Sequence, residues 1–213
     1  MSSEIRFFLF FFFFLLLIAS GSARMTPALP VNGPAAAPPS YGVNSTELIR
    51  ASCGATRYPR LCYSSLSSYA GSAHLTPGRL AWLAANLVIS RLGSLSAHVA
   101  ALRRASGGRE AAALRDCCDA MGDATDLARR AAGELDGIEE SAAAGAGPEV
   151  AWRVANAQTW LSAALTNEDT CADGFEEAVG NGEVKGEVCA RVRKVKQFTS
   201  NALALVNSLV HRP

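Results

Sequence analysis

Apolar and small residues recur three and four apart along two long stretches of this chain. Leu114, Cys117, Met121, Ala124, Ala128, Ala131 and Leu135 form one such seam, and Val188, Val192, Val195, Thr199, Ala202, Val206 and Leu209 form the other. That spacing aligns the positions on one side of a helix, the pattern by which bundles pack. No alternating run of Val, Ile and Thr is long enough to argue a strand, so the expectation is an all-α domain.

Caps and breakers divide the pattern into elements. Asn44-Ser45-Thr46 ahead of Glu47 predicts a short helix from Thr46 to about Cys53, ended by Gly54, and a second short helix should begin near Pro59. Thr76 and Pro77 supply a cap and a first-turn proline for a long helix to about Arg104, which Ser106-Gly107-Gly108 breaks. The next helix covers about Arg109 to Leu135. Gly137 and the stretch Ala142 to Gly147 predict a flexible connection. Pro148 then starts a helix carrying Trp152, Trp160, Leu161 and Leu165 to about Cys171, ended by Gly174, and the last helix spans about Glu183 to Val210. Four long helices with short links imply an up-down-up-down four-helix bundle preceded by an N-terminal helical hairpin.

The N-terminus follows another rule. Phe7 to Ile18 is an unbroken apolar run behind the basic Arg6, and Gly21 and Ala23 are the small residues a signal peptidase reads. Residues 1–23 are therefore expected to be a signal peptide cleaved after Ala23, because a bilayer span needs about 20 apolar residues. No later segment is expected to cross a membrane. Residues 24–43, rich in Pro and Ala without apolar periodicity, read as a disordered leader, and 44–213 as one bundle domain.

Charge narrows the partners. Twenty Lys and Arg stand against 19 Asp and Glu, a balance that offers no net field for nucleic acid or anionic lipid. Arg191, Arg193, Lys194 and Lys196 form the one basic cluster, interleaved with Val192 and Val195 as on a solvated helix face. Six cysteines in an exported chain favour disulfides, although sequence alone leaves their pairing open. An up-down-up-down order brings Cys117 and Cys171 to one end of the bundle, while Cys53 and Cys62 flank a short turn. Cys118 and Cys189 remain as a candidate third bridge near the same end.

No catalytic constellation is legible. Asp116, Asp119, Asp123 and Asp126 recur along one helix but spread over an outward arc, and no HExxH, GxSxG or phosphate-binding glycine loop occurs. His74, His98 and His211 are scattered and no CxxC pair exists, so neither a metal nor a cofactor is expected. These features point to a binding protein rather than an enzyme. Asn44-Ser45-Thr46 is the only N-glycosylation sequon, so Asn44 is a candidate for a glycan as well as for a helix cap.

Four stretches then become specific. Cys53-Gly54-Ala55-Thr56-Arg57-Tyr58-Pro59-Arg60-Leu61-Cys62 resembles the first cysteine pair of the plant invertase and pectin methylesterase inhibitor family. Ala113-Leu114-Arg115-Asp116-Cys117 resembles its third-cysteine segment. Thr159 to Cys171, continued by Asp173-Gly174-Phe175, resembles the fourth, and Ser200 to Asn207 resembles the closing helix.

This resemblance, from about Thr46 to Val210, implies a stapled four-helix bundle with disulfides Cys53–Cys62 and Cys117–Cys171. It also implies secretion to the extracellular space of the plant cell wall, the apoplast. Family members bind a carbohydrate-active enzyme one to one and cover its substrate cleft. Cys118 and Cys189 fall outside the four-cysteine pattern. The stretch Leu165 to Cys171 is closer to the pectin methylesterase branch, and the Pro-Lys-Phe tripeptide associated with invertase inhibitors is absent. Pectin methylesterase is thus the expected target, with cell-wall or vacuolar acid invertase as the alternative. Asp119, Asp123 and Asp126, with Thr166, Asp169 and Thr170, are the expected contact residues, though Thr166 to Thr170 would equally serve as caps at a helix end.

Overall fold

The computed structural model describes residues 44–72, 75–143, 145, 147–178 and 182–210. The signal segment 1–23 and the leader 24–43 lie outside the described residues, as do His74 and His211.

Asn44 opens α1 (Ser45–Gly54) by accepting a hydrogen bond from the Thr46 amide at 3.1 Å. Pro59 opens α2 (Pro59–Leu66), which continues into a single 3-10 turn at Ser67–Tyr69. Thr76 caps α3 (Pro77–Ala105) by accepting from the Arg79 amide at 3.0 Å, with Pro77 in the first turn where a missing N–H breaks no bond. Two residues later α4 (Gly108–Asp136) begins, and Gly108 takes a φ of +58°, the left-handed conformation that lets the chain reverse this tightly. α5 (Ile138–Ala143), α6 (Gly147–Ala178) and α7 (Glu183–Asn207) follow.

Several boundaries depart from the sequence reading. Gly54 lies inside α1, and Ala55 caps it in a right-handed conformation. The connection expected to be flexible after Gly137 contains α5, whose Ile138 is buried and packs near Gly78 of α3. Gly174 does not end α6. Phe175, with no exposed surface, anchors a further turn, and burying an aromatic side chain outweighs the roughly 1 kcal/mol a helical glycine costs. α7 stops at Asn207, three residues short of the expected Val210.

α3, α4, α6 and α7 pack in that cyclic order, with α7 closing back on α3, as an up-down-up-down bundle requires. Both predicted seams face the interior, except that Leu209 is only half-buried. Ala81, Ala85, Ala124, Ala128, Ala131, Ala157, Ala164 and Ala202 expose nothing, and such short side chains let helix axes approach closely. By length and composition α3 could cross a membrane, contrary to expectation. Its apolar face, including Leu80, Val88, Leu92 and Val99, is buried in this bundle.

The hairpin α1–α2 docks through Ile49, Cys53, Cys62 and Leu66, all buried. A polar latch holds it to the last helix. The side chain of Asn201, 4% exposed, accepts from the Tyr58 amide and donates to the Tyr58 carbonyl, each at 3.1 Å. A buried amide that satisfies both backbone groups of one residue fixes where the connection between α1 and α2 meets α7.

Candidate functional site

Two disulfides set the rigid points. Cys53 and Cys62 are joined across the hairpin with Cα atoms 5.4 Å apart, and Cys117 and Cys171 join α4 to α6 at 4.3 Å. The candidate third bridge is not formed: Cys118 and Cys189 are free thiols. Neighbouring side chains on a helix diverge by about 100°. With Cys117 turned to α6, Cys118 is carried away to where Arg103 of α3 acts on it, and burial pushes its thiol up. Cys189 is buried with its Sγ 3.9 Å from the Ala172 carbonyl on α6.

The six polar residues expected to contact a partner lie on α4 and α6, the helices the Cys117–Cys171 bond connects. All six are exposed. Asp119, Asp123 and Asp126 fall on one face of α4 by their spacing, and Asp126 pairs with Arg129 at 2.6 Å. Asp119 and Asp123 have no ion pair among the described residues. On α6, Thr166 and Thr170 donate to the carbonyls one turn back, Ser162 and Thr166, at 3.3 and 3.0 Å. Neither caps the helix, because α6 continues to Ala178. Asp169 turns toward α7 and pairs with Lys196. It therefore stands apart from the α4 aspartates.

Charge is divided across the bundle. α4 carries seven carboxylates against four arginines, and α6 presents Glu149, Asp169 and Asp173 at exposed positions against Arg153, with Glu168 buried in the core. α3 carries four arginines and no carboxylate, and α7 five cations against Glu183 and Glu187. Adjacency in the bundle thus joins two acidic helices on one side and two basic helices on the other. The near-neutral total, read from sequence as the absence of a field, is a cancellation between two faces.

One ionisable residue was missed altogether. Glu168 follows Leu161 and Ala164 in the apolar seam of α6 and precedes Cys171 and Phe175, so its carboxyl is carried into the core with no exposed surface. Thr199 donates to its Oε1 at 2.6 Å, and Oε2 has no hydrogen-bond partner among the described residues. Burial pushes this carboxyl up to about 7, against the opposing pull of the Thr199 hydrogen bond and the Lys196 charge. The three- and four-residue spacing around position 168 was the available signal. Trp152, 57% exposed near the start of α6, and the stack of Arg130 on Trp160 at 5.3 Å add aromatic surface to the α4–α6 side.

Asn44 is exposed, and its side-chain oxygen serves as the α1 cap. The cap uses Oδ1 and not the amide nitrogen, so capping and sequon use do not compete for the same atom.

Residues 47–205 match the family described as plant invertase/pectin methylesterase inhibitor. The chain is 40% identical to Pectinesterase inhibitor 3 of Arabidopsis thaliana over 165 residues, covering 76% of this chain and 79% of that protein. It is 39% identical to Pectinesterase inhibitor 11 of the same plant over 166 residues, covering 77% and 81% respectively. Among solved structures it is similar to a mutant form of a pectin methylesterase inhibitor from Arabidopsis, with a TM-score of 0.49 and 22% identity over 73% of this chain and 92% of that one.

Proposed function

The chain belongs to the plant invertase/pectin methylesterase inhibitor family, and from that premise we propose that it is a non-enzymatic inhibitor of pectin methylesterase. The observation that carries this reading is the exposed acidic face of α4, tied to α6 by the Cys117–Cys171 bond, in a chain whose relatives are named pectinesterase inhibitors. A face preorganised by a covalent link loses little conformational freedom on binding, which favours occlusion of a groove by shape and hydrogen bonding.

In this reading one inhibitor lies across the sugar-binding groove of one enzyme. Asp119 and Asp123, which have no ion pair among the described residues, supply acceptors to polar donors at the rim. Residues 1–23 direct export, 24–43 form a leader, and the mature domain works in the cell wall, where it limits pectin de-esterification.

The test is a titration of purified protein against cell-wall pectin methylesterase from mildly acidic to neutral pH, run beside sucrose hydrolysis by acid invertase. Stoichiometric loss of ester hydrolysis with sucrose cleavage spared is the expected result. Full esterase activity at micromolar inhibitor across several isoforms overturns the proposal, and selective loss of sucrose cleavage transfers it to invertase.

A further inference from the structure

Opposite the acidic helices, α3 and α7 enclose an open groove of about 340 Å³ lined by Arg91, Ser94, Arg191, Lys194 and the apolar floor of Leu95, Val195 and Phe198. Arg91 lies 5.0 Å from the Phe198 ring centroid and Lys194 lies 5.8 Å from it, so one aromatic ring holds two cations from different helices. Neither has a carboxylate partner among the described residues. Arg191 is engaged by Glu187 at 2.9 Å, and Glu187 also meets His98 at 2.9 Å. That pairing neutralises one end of the groove and leaves Arg91 and Lys194 as its open charges.

We infer that this groove is a binding site for a linear polymer of sugar carboxylates. A guanidinium fork and an ammonium group match carboxylates, and the Ser94 oxygen, whose proton goes to the Ser90 carbonyl at 2.9 Å, can accept from a sugar hydroxyl. Its lining spans positions 91–95 of α3 and 191–198 of α7, one to two helical turns, which is room for a short stretch of such a chain. The choice of ligand rests on the proposed target: ester hydrolysis on a methylated sugar polymer leaves a carboxylate at each site hydrolysed. Carboxylates on α4 and α6 repel such a chain, so it is confined to the basic side. An inhibitor held by the product polymer through α3 and α7 keeps its acidic face free for the enzyme.

The experiment measures binding of the purified protein to polygalacturonate, to a fully methyl-esterified polymer and to a sulfated glycan of matched charge density, with no enzyme present. The expected result is binding to polygalacturonate that added salt weakens, with little binding to the esterified polymer. R91Q/K194Q should bind about tenfold more weakly or worse, with unchanged helical content and an unchanged esterase inhibition curve. R91E/K194E should abolish binding.

The inference is overturned by absence of binding at low salt, by equal binding of R91Q/K194Q, or by equal binding of the esterified polymer. Equal binding of the sulfated glycan also overturns it, reducing the site to a general polyanion surface. Polymer binding without esterase inhibition would leave the groove standing and remove the proposed target. Inhibition without polymer binding would do the reverse.

Discussion

The hydroxyl of Thr199 on α7 donates to the carboxyl of Glu168 on α6 at 2.6 Å, inside a site where Glu168 exposes no surface. Among the described residues Glu168 is the one carboxyl in the core of the bundle, and it gives the protein a pH-dependent stability. The carboxyl is raised from its ordinary 4.5 to about 7, so the folded state holds its proton where the unfolded chain releases it. The stabilisation is complete below about 4.5, declines as pH rises through 7, and amounts to about 3 kcal/mol over that window. Denaturant melts at several pH values should show this decline. E168Q should remove its slope, and T199V, which deletes a bond to the charged form, should move it to higher pH.

Reduction should act unequally on the two disulfides. Loop-closure entropy assigns roughly 4 kcal/mol to Cys117–Cys171 and roughly 3 kcal/mol to Cys53–Cys62. C117S/C171S should weaken esterase inhibition together with stability, because the bond connects the two helices of the proposed binding face. Peptide mapping without reductant should recover Cys118 and Cys189 as thiols. A peptide linking those two residues would contradict the structure.

Replacement of Asn201 tests the latch. N201A leaves the part-buried amide and carbonyl of Tyr58 without their partner and should cost about 1 to 2 kcal/mol. Hydrogen exchange should rise first over residues 45–66, ahead of the four long helices.

Charge reversal on the acidic face should separate it from the basic groove. D119K/D123K, both changes at exposed positions, should weaken esterase inhibition by about tenfold or more while sparing polymer binding. Unchanged inhibition would move the contact surface off α4.

Substitutions at Asn44 divide its two roles. N44D keeps an oxygen at Oδ1 and should preserve stability, whereas N44A should lose about 1 kcal/mol. Protein secreted from plant cells should carry a glycan that is absent from both variants and from T46A, read as intact mass. Unmodified mass in the parent protein would leave Asn44 with capping alone.

The four long helices were legible because spacing repeats over many residues, so that no single exception disturbs it. Single positions were less readable. Gly174 looks like a terminator in isolation, and only the burial of Phe175 one residue later explains why α6 continues. Ile138 reads as part of a loop until Gly78 of α3 gives it something to pack on. Pairing Cys118 with Cys189 followed from counting cysteines at one end, but Cys189 stands on α7, which lies diagonal to α4 in the bundle and makes no contact with it among the described residues.

The candidate site was legible as a set of residues and not as a surface. Thr166 and Thr170 share a helix stripe, while Asp169, between them in sequence, turns to Lys196. Similarly, the basic cluster of α7 looked like an ordinary solvated face. Its meaning changed only when α3, with four arginines and no carboxylate, was placed beside it. Such juxtapositions depend on which helices are neighbours, information the local pattern does not hold.

The contact between Tyr58 and Asn201 spans 143 positions. During synthesis the segment from Cys53 to Cys62 leaves the ribosome long before Asn201 does, so its covalent closure needs only local residues. Docking of that segment must wait for α7. The order of assembly is therefore written into the latch: the first helices made are among the last to be secured.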